Sequence, residues 1–244
     1  MMNIAIIPAR GGSKSVPSKN IKHLNGIPLI AYSIIISLEN PLIDEVIVST
    51  DDDEIASIAL KYGANVPFLR PKNIATDDTP DKPVILHALE WFENENNFKP
   101  DLILYLRPTS PFRSHSLINK CITKIAQENS YSSLRTVNNV RGIHHPYWMF
   151  RNDKRILKPF INDIDLAKFY QRQLLPECLR LNGVVDILKP QIVKECPNIY
   201  GNSIGHIITD DMTTVDIDDQ IDFDFAEFLL KKKQIVLPFV KQSK

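Results

Sequence analysis

A stretch close to the N-terminus combines cationic side chains with glycines, and this combination is suited to binding phosphate groups. It is IPARGGSKSVPSKN, residues 7–20, and it continues the apolar run at residues 4–7. Glycine lets backbone amides approach an anion closely, while arginine and lysine neutralise the anion's charge. The stretch matches neither the GxxxxGK[ST] phosphate loop nor the GxGxxG dinucleotide loop. We predict an anion-binding loop here, with a solvated glycine turn as the alternative.

A second stretch, TTVDIDDQIDFDFAE at residues 213–227, is rich in carboxylates. If residues 215–218 are extended, Asp216 and Asp218 project from the same face, because side chains alternate along an extended chain. Paired carboxylates suit Mg²⁺ that also binds phosphate groups. In the structural alternative these acids open a final helix, with Asp219 as N-cap and Asp222 in the first turn. Both interpretations can hold, and the spacing alone does not establish a metal site.

The stretch RPTSPFR, residues 107–113, presents hydroxyl groups between two arginines. Its prolines stiffen the loop that carries Thr109 and Ser110, so the loop could receive a carboxylate-bearing or hydroxylated substrate. A tight turn that caps the next helix, with Ser114 or Ser116 as the cap, fits the pattern equally well.

The stretch YQRQLLPECLRLNG, residues 170–183, contains two arginines that could bind an acid group, Arg172 and Arg180. Its final Asn182-Gly183 pair predicts a turn. On spacing alone the structural interpretation is favoured, since arginines are common on protein surfaces.

Short β-branched runs alternate with longer segments of helical periodicity. The predicted strands are residues 3–8, 45–50, 66–69 and 101–106, and the predicted helices are residues 28–39, 52–62 and 82–96. This alternation predicts βαβ units in an α/β fold, with a mostly parallel sheet and helices on both faces. Because ligands bind such sheets beyond the carboxyl ends of the strands, the basic loop should share one rim with the loops at 50–54, 70–81 and 107–114.

The second half of the chain is less regular. Residues 138–180 hold few clean strand patterns but many charged and aromatic groups, so we interpret them as an excursion from the sheet, either a subdomain or an oligomerisation arm. Regular structure should return at residues 183–188 and 214–217, followed by an amphipathic helix from about 220 to 232. We treat residues 1–244 as a single domain.

Composition argues against several classes of protein. Hydrophobic residues make up 43% of the chain and charged residues 24%, while Lys+Arg and Asp+Glu balance at 29 each. A globally basic surface for nucleic acid is therefore not expected. The three scattered cysteines indicate neither a disulfide framework nor a zinc site. No signal pattern or apolar stretch of membrane-spanning length occurs, so we predict a cytoplasmic protein without a membrane partner.

Taken in order, the motifs resemble those of the acylneuraminate cytidylyltransferase family, the CMP–sugar synthetases that act on sialic acid and related nonulosonic acids. The matching pieces span residues 4 to about 225 and are IPARGGSK…PSKN, VIVSTDDDEIA, YGANVPFLRP, DDTP, RPTSPFR, RQLLPE, RLNG and VDIDDQID. The resemblance implies a Rossmann-like nucleotidyltransferase fold. It also implies a reaction in which CTP and a 2-keto sugar acid give the CMP-sugar and pyrophosphate with the help of Mg²⁺. Positioning and charge neutralisation supply most of the catalysis in such chemistry.

The family's pattern further implies roles for individual residues of this chain. Binding of the triphosphate is implied for Arg10, Gly11, Gly12, Ser13, Lys14, Lys19 and Asn20, and proximity to the ribose and cytosine for Arg70 and the loop from Asp77 to Asp81. Sugar binding is implied for Arg107, Thr109, Ser110, Arg172 and Asn182, with Arg172 facing the sugar carboxylate. Asp216 and Asp218 match the metal-binding pair, and the candidate catalytic residues are Arg10, Lys14 and Asp216. Either a metal-bound hydroxide or Asp216 would deprotonate the anomeric hydroxyl.

Two positions depart from the family's pattern. Arg107 stands where the sialic-acid enzymes usually have a glutamine that helps to hold the sugar, and GVVDI replaces the more usual GAIYI. Arg107 therefore indicates a more anionic or differently acylated substrate, or else it turns away into a structural ion pair.

The family usually dimerises, and we place that contact and a substrate lid at residues 140–170. Two alternative functions remain. One is a cytidylyltransferase for another sugar acid, such as the eight-carbon Kdo, and the other is a non-catalytic nucleotide-binding domain.

Overall fold

A six-stranded sheet organises the computed structural model, which describes residues 1–95, 99–210, 214–237 and 239. The strands are β1 (Asn3–Pro8), β2 (His23–Leu24), β3 (Ile27–Pro28), β4 (Glu45–Ser49), β5 (Leu102–Tyr105), β6 (Ser133–Asn139), β7 (Phe150–Asp153), β8 (Ile156–Pro159), β9 (Leu179–Leu188) and β10 (Ile204–Ile208). The α-helices are α1 (Leu29–Leu38), α2 (Asp53–Lys61), α3 (Asp81–Glu95), α4 (His115–Gln127), α5 (Pro190–Glu195) and α6 (Gln220–Lys231).

The strand order in the main sheet is β10-β6-β9-β5-β1-β4. β1 is parallel to both β4 and β5, and β10 is parallel to β6, whereas β9 runs antiparallel to β5 and β6. Alternate residues of β1 enter opposite cores, since Ala5 and Ile7 pack with α1, α2 and α4, while Ile4 and Ile6 pack with α3 and α5. The predicted mostly parallel sheet with helices on both faces is therefore confirmed.

The strand predicted at residues 66–69 is wrong. Within the described residues, Asn65 and Leu69 make only isolated bridges, to Ile47 and Thr50 respectively. Pro67 has no backbone N–H to donate, so a continuous ladder cannot pass through it.

Two further predictions fail in the second half of the chain. Asn182 and Gly183 form no turn but lie inside β9, where Gly183 has a φ of 66° and the register with β6 shifts. A residue in this conformation bulges the strand and lets it continue, and glycine adopts it without steric cost. Residues 214–217 do not form a regular strand, and β6 and β10 were not predicted.

The predicted helix caps are confirmed. Asp219 is the N-cap of α6 and accepts hydrogen bonds from the backbone N–H groups of Ile221 at 2.8 Å and Asp222 at 3.0 Å. The Asp222 carboxylate accepts in return from the Asp219 N–H at 3.1 Å. Ser114 caps α4 by accepting from the Leu117 N–H at 3.2 Å. Capping pairs of this kind typically contribute about 1 kcal/mol each.

The stretch between β6 and β9 leaves the main sheet. It contains β7 and β8, which pair with each other as a separate two-stranded sheet. Several of its large apolar side chains are exposed: Ile143, Met149, Phe150, Ile156, Leu157, Phe160 and Tyr170. Its contribution to a dimer stays a prediction.

Candidate active site

A cleft of about 390 Å³ lies beyond the C-terminal ends of β1 and β5. The loop after β1, the loop before α3 and the loop after β5 all contribute to its lining. Ten of the residues singled out from the sequence line it: Arg10, Ser13, Lys14, Lys19, Asn20, Arg70, Asp77, Asp81, Arg107 and Thr109. The three loops therefore share one rim, as parallel-sheet topology predicts.

The basic loop is held against the end of β4. The backbone N–H of Gly11 donates to the Asp51 carboxylate at 2.9 Å, and the Asn20 side chain donates to the Arg10 carbonyl at 3.0 Å. A Cβ atom at Gly11 would lie 2.8 Å from an Asp52 carboxylate oxygen, and Asp52 cannot move freely because it caps α2. Only glycine allows this close approach. The loop backbone is thus fixed while its cationic side chains extend into the cleft.

Asp77 pairs with two cations of the basic loop. Its two carboxylate oxygens accept from the Arg10 guanidinium and the Lys14 ammonium, so it bridges the two sides of the cleft. The hydrogen bond from Lys14, together with the charges of Arg10 and Lys14, holds the pKa of Asp77 below its ordinary value. Asp77 is therefore an anion at neutral pH and competes with any phosphate group for these cations.

We expect Asp77→Asn to bind inorganic pyrophosphate about two- to fivefold more tightly, because an exposed ion pair that competes with the anion is weak but is removed altogether. The amide keeps the shape of the side chain but removes the charge that competes for Arg10 and Lys14. Isothermal titration calorimetry would measure the affinity. Asp78→Asn is the matched control, since Asp78 is the adjacent exposed carboxylate. Weaker binding by Asp77→Asn would instead show that Asp77 helps to hold the anion.

The segment at residues 215–218 lies between the basic loop and the loop after β5. Lys19 Nζ donates to the Ile217 carbonyl at 2.9 Å, and the Ser15 hydroxyl donates to the Asp218 carbonyl at 2.5 Å. On the other side, the Ile217 N–H donates to the Thr109 carbonyl at 2.8 Å. These bonds bring residues about 200 positions apart in sequence to one site.

Asp216 and Asp218 are both exposed, whereas Val215 and Ile217 are buried, so the carboxylates share a face as the alternation predicts. They line a second cleft, of about 410 Å³, next to the first. Partial burial and then the charge of Asp216 raise the pKa of Asp218, which is the electrostatic strain that a cation would relieve.

The donor set suits Mg²⁺ held jointly with phosphate oxygens, because Mg²⁺ typically takes one or two protein carboxylates in such sites. No cluster of three or more His, Cys, Asp or Glu side chains placed for a metal occurs in the part of the chain that the structure describes. Hence a site here would be completed by the substrate's phosphates and by water.

Arg107 forms the ion pairs that the sequence left as an alternative. Its guanidinium donates to Asp186 at 2.8 Å and to Asp81 at 2.6 Å. Arg70 is 5% exposed and donates to the Ser49 hydroxyl at 3.0 Å, and burial lowers its pKa. Both arginines line the cleft, but each guanidinium is held by protein groups.

Three of the predicted sugar-binding residues do not line the first cleft, although Asn182 lines the second one with Asp216 and Asp218. Asn182 is 8% exposed, and its amide donates to Asn138 and Thr209, each at 2.7 Å. Its carbonyl accepts from the Thr136 hydroxyl at 2.6 Å and from the Val184 N–H at 3.2 Å. Ser110 is 1% exposed. Arg172 is exposed in the one-turn helix at 172–174 and does not line the cleft. Their roles toward a sugar stay predictions.

Arg113 supports the loop after β5 from below. It is 1% exposed and donates to the Val184 carbonyl, to the Ser33 hydroxyl at 2.9 Å and to the Arg107 carbonyl at 2.7 Å. Burial lowers its pKa to about 9. This buried arginine therefore fixes the backbone that carries Arg107 and Thr109.

Sequence reasoning missed Asp186, Arg135 and Tyr200, which form a cluster with Arg107 through the Asp186 carboxylate. Asp186 accepts from Arg135 at 2.8 Å and 3.2 Å, and the Arg135 guanidinium lies 3.9 Å from the centre of the Tyr200 ring. One signal was present in the sequence. A single carboxylate in the apolar run GVVDIL is uncommon in a buried strand unless it is paired.

The mostly parallel sheet, the glycine-containing cationic loop after its first strand and the carboxylate pair at the adjoining cleft are those of a nucleotidyltransferase. The chain belongs to the cytidylyltransferase family, whose model matches residues 4–192. This membership confirms the resemblance inferred from the motifs.

Two relatives match nearly the whole chain. A CMP-N,N'-diacetyllegionaminic acid synthase of Campylobacter jejuni is 35% identical over 95% of this chain and 96% of its own length. A protein of the same name from Legionella pneumophila is 32% identical over 97% of this chain and 100% of its own length.

Among solved structures, CMP:2-keto-3-deoxy-manno-octonic acid synthetase complexed with CTP is similar with a TM-score of 0.69 and 12% identity, covering 96% of this chain and 100% of that chain. At this identity the likeness shows a shared fold. No helix in the described ranges is both long and apolar enough to cross a membrane.

Proposed function

We propose that the protein transfers CMP from CTP to the anomeric hydroxyl of a nonulosonic acid, with release of pyrophosphate, for the synthesis of a surface glycan. One observation carries the proposal. The cations of the basic loop and the carboxylates of residues 216 and 218 line two adjoining clefts, which the Lys19–Ile217 and Ser15–Asp218 hydrogen bonds join. The relatives named as legionaminic acid synthases support the class of acceptor.

In this proposal Arg10, Lys14 and Lys19 bind the triphosphate and neutralise the charge that develops on the departing pyrophosphate. The incoming phosphates would displace the Asp77 carboxylate from Arg10 and Lys14. Thr109 and Arg70 lie in the wall of the same cleft and would limit the orientations of the nucleoside.

Asp216 and Asp218 would hold Mg²⁺, which supplies charge neutralisation and alignment of the phosphate oxygens when it is bound. Lys19 would keep this segment in place, because its ammonium donates to the Ile217 carbonyl and lies 4.0 Å from an Asp218 carboxylate oxygen.

We also propose that residues 140–170 contact a second copy of the chain and cover the sugar. The exposed fractions of Leu157 (71%) and Phe160 (64%) are high for large apolar side chains, and such surface is usually covered by a partner. Arg172, which follows this stretch, would then approach the sugar carboxylate in the partner's site. Analytical ultracentrifugation that finds only monomer at micromolar concentration would contradict the dimer.

The reaction can be tested by measuring pyrophosphate release from CTP and Mg²⁺ with a panel of 2-keto sugar acids. We expect turnover with legionaminic or sialic acids and little turnover with Kdo. Turnover with Kdo alone would contradict the nonulosonate assignment. Clear CTP binding without turnover on any acid would favour the non-catalytic nucleotide-binding alternative.

A further inference from the structure

Arg107 connects two elements of the fold through a pair of carboxylates. One, Asp81, is the first residue of α3, and the other, Asp186, lies in β9. The guanidinium donates to them at 2.6 Å and 2.8 Å, and its central carbon lies 4.8 Å from the centre of the Tyr105 ring. Two carboxylates and an aromatic face thus fix the plane of the guanidinium.

Asp81 is held at both oxygens. Its second oxygen accepts from the Tyr105 hydroxyl at 3.0 Å, so the first turn of α3 is bonded to β5 as well as to Arg107. Residues 76–81 precede or begin α3 and contribute Thr76, Asp77 and Thr79 to the cleft. The position of this side of the cleft therefore depends on the bonds that Asp81 makes.

The cluster around Arg107 is balanced in charge. Arg107 and Arg135 face Asp81 and Asp186, and Asp186 is 1% exposed. Because both arginines are already paired with protein carboxylates, neither guanidinium is free to bind a further carboxylate. A substrate carboxylate placed there would have to displace Asp81 or Asp186, and it would leave a protein carboxylate without its cation.

We infer that Arg107 is a positioning residue that holds the start of α3 for nucleotide binding, and that it is not the partner of the sugar acid's carboxylate. The inference rests on the proposed CTP site, and it resolves the two interpretations of Arg107 that the sequence allowed. The carboxylate of the acceptor must then be bound by a cation elsewhere.

The test measures CTP binding by isothermal titration calorimetry in the absence of any sugar acid. Arg107→Gln and Asp81→Asn are each expected to weaken CTP binding about tenfold, as loss of a charged hydrogen bond predicts. The double variant should be weakened no more than either single variant, because all three lose the same connection. The KM of the sugar acid at saturating CTP should change less than about twofold. The nucleotide site is filled under these conditions, and the substitutions remove no contact with the acceptor.

Lys120→Gln is the control for loss of a positive charge, because Lys120 is exposed on α4 away from the cleft lining. If Arg107→Gln does not fold, Arg107→Lys keeps the charge but lacks the planar fork that reaches both carboxylates, and it should show the same loss. Asp81→Asn leaves the Arg107–Asp186 pair in place, so a loss of CTP affinity in this variant cannot come from loss of that ion pair.

Unchanged CTP affinity together with a raised KM for the sugar acid would overturn the inference, and so would losses that add in the double variant. These outcomes differ from failure of the proposed reaction, because binding is measured without an acceptor. A wild-type protein that binds CTP but turns over no acid contradicts the reaction alone. A wild-type protein that does not bind CTP contradicts both.

Discussion

Asp216→Asn is expected to lower kcat for pyrophosphate release by about three orders of magnitude, in the range that loss of one strong electrostatic contact at a reacting phosphate produces. The side chain is exposed beside the cleft, next to Asp218 on the same face of the segment. Replacing one carboxylate by an amide leaves a single anionic ligand for the cation, and a neutral oxygen binds Mg²⁺ poorly in competition with water. Kinetics at several Mg²⁺ concentrations measure the loss.

The fold of Asp216→Asn should be unchanged, because the segment is held by the buried side chains of Val215 and Ile217 and by backbone hydrogen bonds. Thermal unfolding would check this. Asp224→Asn on the exposed side of α6 is the control for removing one acidic charge nearby. Near-normal turnover by folded Asp216→Asn at saturating Mg²⁺ would exclude Asp216 as a ligand.

The first half of the fold could be predicted from the sequence because its signals are local. β1, β4 and β5 are apolar runs covered on both faces, and α1 to α3 show helical periodicity between them. The same alternation of strands and helices predicted that the basic loop lies at the C-terminal edge of the sheet. The prediction for residues 66–69 failed where a single residue, Pro67, overrides an apolar pattern.

The second half could not be predicted in the same way, because its pairing is long-range. β9 runs antiparallel between β5 and β6, and its bulge at Gly183 looks like a turn in the sequence. The pairing of Asp186 with Arg107 and Arg135 joins residues 79 and 51 positions apart. A local sequence pattern does not predict the order of strands in a sheet. The cluster could therefore be identified only from the structure, in which β9 lies between β5 and β6.

The Asp186 cluster leads to the largest expected effect on stability. Asp186→Asn should lower the free energy of unfolding by about 3 kcal/mol, because it removes the carboxylate that Arg107 and Arg135 share, and Asp81 remains as a partner for Arg107 alone. The value falls at the lower end of the usual range since the Arg135 and Arg107 side chains keep 12% and 25% exposure to water. Urea denaturation at neutral pH measures the difference, with Asp224→Asn as the exposed control.

The pH dependence of this difference gives a second measurement. Although burial opposes ionisation, the hydrogen bonds and charges of Arg135 and Arg107 hold the pKa of Asp186 below its ordinary value. A carboxylate whose folded pKa is depressed stabilises the protein above its unfolded pKa of about 3.9, and this contribution disappears as the pH falls through the folded pKa. The gap between the wild-type protein and Asp186→Asn should therefore stay constant from pH 8 to about pH 5 and narrow below about pH 4. A difference in the free energy of unfolding below about 1 kcal/mol at neutral pH would contradict the prediction. It would show that other groups stabilise both arginines, and the Tyr200 ring beside Arg135 is the nearest candidate.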